Sequence, residues 1–302
     1  RAPRRATTRS TQDDQVTIEN RPRGVKVQSA IGGQLSPGVD NVPDKHAFRG
    51  SYVGKDVFPM FLDRDASRPN IAPGLLNQLS ATYGTDVTAE DLVAYVFALM
   101  AHPGYCAKFT IELATPGPRV PVTADPQLFT EAVSLGRRLL WLQTFGERFT
   151  GEAQPEAKLP DVPGLGWITA VTAVPESSAA ITYDAATRTI TIGDGALAGV
   201  SPEVWSFSVS GYEVVPRWLA YRTVKGYGRA SEASRSTPLD AIRPGVWDDA
   251  WNDELLDLVR ALTHTVEAQA LAASMLDRVV TGPLLSAAAL ASDKTDEPLT
   301  LV

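Results

Sequence analysis

The spacing of apolar residues changes twice along this chain, and those changes limit the possible folds more than any other feature. Between residues 88 and 143 apolar residues recur every three or four positions, which is typical of one helix face. Over residues 181–192 they alternate, as in a half-buried strand, and beyond residue 250 the helical spacing returns. The sequence therefore predicts an α+β fold with a helical lobe, a central β-rich lobe with a hairpin, and C-terminal helices.

Two helices of the first lobe carry clear start signals. Thr88, followed three residues later by Asp91, predicts a capping box, and Pro103 is expected to end that helix. Asp125 followed by Pro126 predicts the start of the second helix, because Pro is well tolerated at the first helical position.

The central lobe is expected to contain a hairpin and a further strand. Alternation predicts that Ile181 and Tyr183 pair across a short turn with Ile190 and Ile192. The segment "VWSFSVSGYEVV", residues 204–215, also alternates imperfectly and predicts a strand.

Composition suggests three parts. Residues 1–45 are Arg-rich at their start and lack sustained periodicity, which indicates a basic arm or linker. Residues 46–150 are predicted to form the mainly helical lobe. Residues 151–302 are predicted to form the β-rich lobe and the C-terminal helices, after a Pro- and Gly-rich connector over 151–166.

The cysteine and histidine content and the hydropathy exclude several classes of protein. No apolar run reaches the ~18 residues of a membrane span, so we do not expect an integral membrane protein. The expected location is the cytoplasm. A single cysteine, Cys106, excludes an internal disulfide, and three scattered histidines cannot build a structural zinc site. Because the chain begins with Arg1, without a Met or a signal peptide, we expect it to be part of a longer polypeptide.

Each catalytic motif considered is absent from the sequence or incomplete. The Walker phosphate loop and the G-x-S-x-G elbow are absent. "GDGALA", residues 193–198, lacks the long helix of a dinucleotide site and fits a hairpin exit better. Cys106 follows His102 by four residues, but Pro103 and Gly104 are expected to break the helix between them, so a structural cysteine is the better interpretation.

Charge is unevenly distributed. The formal net charge is −7, yet residues 1–30 hold seven Lys and Arg against three Asp and Glu, whereas residues 236–302 hold four against eleven. Residues 208–235, "SVSGYEVVPRWLAYRTVKGYGRASEASR", combine five basic residues with three tyrosines and a tryptophan. A basic cluster inside an acidic chain indicates a local site for a polyanion.

Three ordered blocks resemble a known family. They are "VPDKHAFRGSYVGKDVFPMF…RPNIAPGLL", "AEDLVAYVFALMAHPGYCAKF…PGPRVPVTADPQLFTEAVSLGRRLLWLQTFGERF" and "VWSFSVSGYEVVPRWLAYR…STPLDAIRPGVW". Together they resemble the C-terminal specificity region of type ISP single-polypeptide restriction–modification enzymes and associated adenine-specific DNA methyltransferases.

The resemblance implies a role in recognising a double-stranded DNA target for phage defence in bacteria. It implies companion methyltransferase and translocase domains, on the same or a companion polypeptide, that use S-adenosylmethionine and, in a full-length enzyme, ATP and Mg²⁺. This chain lacks the corresponding motifs, so we expect no cofactor, no metal and no catalytic residue in this segment; whether it acts as an enzyme stays open.

The basic cluster supplies the candidate DNA-binding residues. Pro216 is predicted to start a helix, "PRWLAYRTVKG", that ends at Gly226 and turns Trp218 and Leu219 towards the core. Phosphates are bound by Lys and Arg, and aromatic or polar side chains contact bases. The predicted DNA-binding residues are Arg217, Arg222, Lys225, Tyr227, Arg229 and Arg235.

Alternatives remain. Arg222 can instead form an ion pair with an acidic residue of the C-terminal helices. The acidic C-terminal part also fits a non-catalytic module that docks on a partner protein. A third alternative is a small enzyme with a site around Cys106 and His102.

Overall fold

The structure is a computed structural model that describes residues 24–27, 38–39, 56–63, 65–114, 119–209, 211–224 and 244–291. Eight α-helices lie in these residues: α1 (Leu75–Tyr83), α2 (Ala89–Met100), α3 (Pro103–Lys108), α4 (Pro126–Gln143), α5 (Pro202–Trp205), α6 (Val214–Ala220), α7 (Ala250–Thr281) and α8 (Ala287–Leu290). Short 3-10 helices occupy Glu112–Ala114 and Ser178–Ala180.

The same residues contain nine strands: β1 (Gly24–Val27), β2 (Gly38–Val39), β3 (Asp56–Pro59), β4 (Gly166–Thr169), β5 (Ile181–Asp184), β6 (Thr189–Ile192), β7 (Gly195–Ala198), β8 (Ser208–Val209) and β9 (Tyr212–Glu213). They pair antiparallel in three sheets, ordered β2-β1-β3, β4-β7-β6-β5 and β8-β9. The predicted α+β class is confirmed.

The helix start signals act as the sequence predicts. Thr88 accepts a hydrogen bond from the Asp91 backbone while the Asp91 carboxylate accepts one from the Thr88 backbone, which completes the capping box. Asp125 caps α4 by accepting from the backbone N–H groups of residues 127 and 128. The expectation for Pro103 is wrong in part, because α2 already ends at Met100 and Pro103 begins α3.

The hairpin register is also as predicted. Ile181 pairs with Ile192 and Tyr183 with Ile190. Residues 193–194 turn the chain directly into β7, so "GDGALA" is the exit of a hairpin followed by a strand.

The prediction of one strand over residues 204–215 is wrong. Ser201 caps a short helix, α5, with Pro202 at its first position, and this cap signal prevails over the imperfect alternation. The chain then forms the small β8–β9 hairpin, in which Gly211 adopts φ 76°. Gly takes up this left-handed conformation without the strain that a Cβ atom would cause.

Helix α6 is shorter than expected. It begins at Val214 and ends at Ala220, so Pro216 lies in the first turn, where a missing N–H costs little. Leu219 is buried and Trp218 packs against the core, as predicted.

A helical core forms where α1, α2, α4 and the second half of α7 meet. Its helices approach closely: a Cβ atom added to Gly136 of α4 would lie 1.8 Å from the carbonyl oxygen of Ala94 on α2. Ala268 and Ala272 bring α7 to the same core, and both are fully buried.

A β-rich core forms between the β4–β7 sheet, α5, α6 and the first half of α7. From α7 it takes Leu255, Leu258, Val259 and Leu262. Helix α7 therefore belongs to both cores, with its first four turns in one and its last four in the other. The division of the chain at residue 150 stays a prediction.

Candidate nucleic-acid interface

Arg217 and Arg222 are the predicted DNA-binding residues that the structure describes, and each contacts a different aromatic ring. The guanidinium carbon of Arg217 lies 4.3 Å from the ring centroid of Tyr212, across the short connection from β9 to α6. Lys225, Tyr227, Arg229 and Arg235 lie outside the described residues.

Arg222 is held between two tryptophans. Its guanidinium carbon lies 3.5 Å from the ring centroid of Trp218 on α6 and 5.0 Å from that of Trp251 on α7. Arg222 Nη1 donates to the Trp218 carbonyl at 3.1 Å, and Nη2 donates to Glu254 Oε2 at 3.2 Å. Stacking on aromatic faces and fixed hydrogen bonds together define one side-chain position.

The surroundings of Arg222 explain its electrostatics. Desolvation lowers the pKa of its guanidinium, and the Glu254 carboxylate opposes that shift. The ion pair that was the alternative to DNA contact is therefore present, with Glu254 as the acid. Contact of Arg222 with DNA stays a prediction. The predicted helix was expected to end at Gly226, but α6 ends at Ala220, so Arg222 lies beyond it.

The contacts of Trp251 and Glu254 with the Arg222 guanidinium were not predicted from the sequence. Both lie on the first turns of α7, about thirty residues beyond Arg222, and only the tertiary contact of α6 with α7 joins them. The available signal was the acid-rich, tryptophan-containing start of α7, "DDAWNDE", residues 248–254.

Exposed apolar side chains lie near Arg222, among charged ones. Tyr221 is 67% exposed, Val224 is 44% exposed, and Val246, just before α7, is 79% exposed. Tyr221 and Val246 line one recess with Arg222, and exposed apolar side chains gathered in one place indicate a contact site. Tyr221 and Val246 were not among the predicted DNA-binding residues.

His102 and Cys106 lack the properties of a catalytic pair. His102 is 1% exposed, and desolvation lowers its pKa to about 4, against smaller opposing contributions from the Leu99 backbone and Asp277. Burial raises the pKa of the half-buried Cys106 thiol. A Cys–His catalytic pair needs a thiolate and a basic imidazole, which are the opposite shifts.

Other acidic candidates have structural partners. Asp248 Oδ1 accepts from the Ala250 backbone N–H at 3.0 Å at the start of α7. Several acidic residues of α7 bind basic side chains within the chain, as in the pairs Arg222–Glu254, Arg260–Asp257, His264–Glu267 and Lys108–Asp277. These contacts reduce the acidic surface that a protein-docking module would present.

In the described part of the chain, neither a metal-binding cluster nor a membrane-spanning helix is found. Its His, Cys, Asp and Glu side chains do not gather in groups of three or more that could hold a metal ion. Among the same residues, no helix combines the length and the hydropathy needed to cross a membrane.

Comparison with known proteins places the chain in a family. The model of the Type ISP C-terminal specificity domain matches residues 4–258. No curated protein matches the chain.

Three solved structures share the fold. A cryo-EM structure of a DrdV–DNA complex superposes with a TM-score of 0.55 and 20% identity over 84% of this chain and 25% of that chain. A nuclease-deletion mutant of the Type ISP restriction-modification enzyme LlaGI, in complex with a DNA substrate mimic, gives 0.54 and 13% over 82% and 18%. The ATP-dependent Type ISP restriction-modification enzyme LlaBIII, bound to DNA, gives 0.51 and 15% over 85% and 16%.

The chain belongs to the family of Type ISP C-terminal specificity domains. It spans a quarter or less of each of the three similar proteins. The family predicted from the three sequence blocks is confirmed, and with it the class of target-specificity modules.

Proposed function

We propose that this chain recognises a specific double-stranded DNA site on behalf of a Type ISP-like restriction–modification or phage-defence enzyme. The match of the specificity-domain family to residues 4–258 is the observation that carries the proposal. The three similar structures support it, because each of them is a complex with DNA or a DNA substrate mimic.

Companion domains complete the proposed function. Methylation of adenine, translocation and cleavage would be performed by methyltransferase, translocase and nuclease domains in the same or a companion polypeptide, in the cytoplasm. S-adenosylmethionine, ATP and Mg²⁺ would bind to those domains, and this chain would position the DNA for them.

A binding titration tests the proposal. The chain is mixed with a library of duplex DNA at two salt concentrations, and we expect binding that weakens as salt rises, because bound Lys and Arg displace condensed counterions. Reversing charge with Arg222→Glu and Lys225→Glu together should weaken binding at low salt by about tenfold or more.

The control is Arg188→Glu, which reverses a single charge on an exposed residue of the β5–β6 turn and is compared with Arg222→Glu alone. Binding that is absent, or that does not respond to salt, would rule the proposal out. A stable protein complex that forms equally well with the Arg222→Glu, Lys225→Glu variant would favour a docking module instead.

A further inference from the structure

A recess of about 440 Å³ opens beside Arg222, between the end of α6 and the start of α7. Six residues line it: Tyr221, Arg222, Pro244, Val246, Asp248 and Trp251. The two walls come from segments that are separated in sequence by the basic stretch containing Lys225, Tyr227, Arg229 and Arg235.

The recess is lined by aromatic and aliphatic side chains beside the charged Arg222 and Asp248. Tyr221 and Val246 are both largely exposed although they are apolar. Trp251 is half-buried, and its ring is fixed by an edge contact to Trp247 at 5.2 Å and by the Arg222 guanidinium at 5.0 Å. The fixed Trp251 ring and the exposed Tyr221 ring line the same recess, and a wall that is already fixed loses little side-chain entropy when a flat ligand binds.

The polar groups of the recess select the ligand further. Arg222 supplies hydrogen-bond donors, and Asp248 supplies a carboxylate that its bond to the Ala250 backbone holds in position. A carboxylate repels phosphate but accepts hydrogen bonds from amino groups such as those of adenine and cytosine. The positive charge of Arg222 is already balanced by Glu254, so the recess is a poor phosphate site.

We propose that this recess binds a nucleobase unstacked from the DNA target, with the base stacked on Tyr221 and its edge directed to Arg222 and Asp248. The proposal rests on DNA recognition as the function of the chain and adds the chemical class of ligand at one place on its surface. Stacking on an aromatic side chain is the usual way in which proteins hold an unstacked base.

Binding of the full chain to three duplex probes tests the recess. One probe is fully paired, the second carries a single bulged adenine, and the third carries an abasic bulge at the same place. We expect the bulged adenine to bind about tenfold more tightly than the abasic bulge, which is the size of effect that one stacked base produces. A 2-aminopurine at the bulge should lose fluorescence on binding, because stacking quenches it.

Variants at one position separate stacking from other effects. Tyr221→Ala should remove the tenfold preference and the quenching, whereas Tyr221→Phe should keep both because the ring remains. Since Tyr221 is 67% exposed, the thermal midpoint of Tyr221→Ala should stay close to that of the parent chain. Affinity for the fully paired probe should be unchanged in both variants.

Three outcomes would overturn the inference while leaving DNA recognition in place. The first is equal affinity for the two bulged probes, and the second is an unchanged preference for the bulged adenine in Tyr221→Ala. The third is that free adenosine monophosphate binds as tightly as the bulged adenine, which would indicate a nucleotide site instead. Failure of every duplex to bind at low salt would overturn the proposed function itself, and so the two failures are distinguishable.

Discussion

The two cores of this chain are built on one helix but by different means. In the helical core, α7 contributes Ala268 and Ala272 beside the larger Met275, Leu276 and Val279, and α2 and α4 approach until their backbone atoms nearly touch. In the β-rich core, α7 contributes large aliphatic side chains and a buried amide, Asn252. The comparison shows that one helix can contribute to two cores with different key contacts, a close backbone approach of α2 to α4 in one and a buried amide that binds backbone in the other.

Asn252 shows how the β-rich core fixes irregular backbone. Its side chain accepts from the Val171 N–H at 3.2 Å and donates to the Val171 carbonyl at 3.1 Å, as a neighbouring strand would. The Asn252 carbonyl also accepts from the Trp167 ring N–H. Residue 171 in turn covers Gly195, where an added Cβ atom would lie 2.5 Å from the Val171 side chain. These contacts join α7 to the β4–β7 sheet.

The largest expected effect concerns the close helix approach. Gly136→Ala would place a methyl group 1.8 Å from the Ala94 carbonyl oxygen, so α2 and α4 would have to move apart. We expect the free energy of unfolding to fall by about 4 kcal/mol or more, because rigid backbone on both sides cannot yield.

Denaturant unfolding measures the effect of Gly136→Ala, and Gly151→Ala is the matched control. No atom lies within 4 Å of a Cβ built on Gly151, so the control should change stability by only a few tenths of a kcal/mol. Equal effects of the two substitutions would show that backbone contact between α2 and α4 does not limit how closely these helices pack.

The second prediction concerns the buried amide of the β-rich core. Asn252→Leu keeps the size of the side chain but leaves the N–H and carbonyl of Val171 unpaired in a buried site. We expect a loss of about 3 kcal/mol in the free energy of unfolding, since each buried unpaired group costs roughly 1–3 kcal/mol.

Asp253→Asn, one residue further on the exposed side of α7, is the control for Asn252→Leu and should be nearly neutral. If the Leu variant were as stable as the parent chain, the β-rich core would be held by apolar packing alone. The buried amide would then no longer distinguish the β-rich core from the helical core.

The third and smallest prediction is a pH dependence that belongs to the helical core. The pKa of His102 is lowered to about 4, so the unfolded chain binds a proton that the folded chain excludes between pH 6.5 and about pH 4. Stability contributed by neutral His102 is therefore present above pH 6.5 and decreases as the pH falls. Between pH 6.5 and 5 we expect a loss of about 1.5 kcal/mol.

Thermal unfolding at a series of pH values, with His102→Leu as the comparison, measures this dependence. The Leu variant should show a shallower slope over that range. Asp91, whose carboxylate binds Arg137 and Thr88, also has a lowered pKa, but its contribution is lost only at lower pH. An identical slope in parent and variant would show that His102 is not the group responsible.

Local sequence signals predicted local structure well. The caps at Thr88 and Asp125 and the pairing of Ile181 with Ile192 depend on neighbours only a few residues away. The short helix α5 was missed because weak alternation was weighed above Ser201 and Pro202, which are the stronger start signal.

Long-range contacts were beyond prediction. The cluster of Arg222, Trp218 and Trp251 forms only when α6 meets α7, and no spacing in the sequence specifies that meeting. Pairing of Arg222 with an acid of the C-terminal helices was foreseeable as a possibility from charge, but the choice of Glu254 requires the fold. The same holds for the recess, whose two walls are more than twenty residues apart.

Helix α7 also has a mechanical consequence. Its 32 residues contain no Gly or Pro, so it lacks the usual sites of kinking, and at 1.5 Å per residue it extends for about 48 Å. The first half of this straight helix packs in the β-rich core and the second half in the helical core. It therefore keeps Trp251 at a fixed distance and angle from the helical core. A ligand bound near Trp251 would therefore keep a fixed position relative to the helical core.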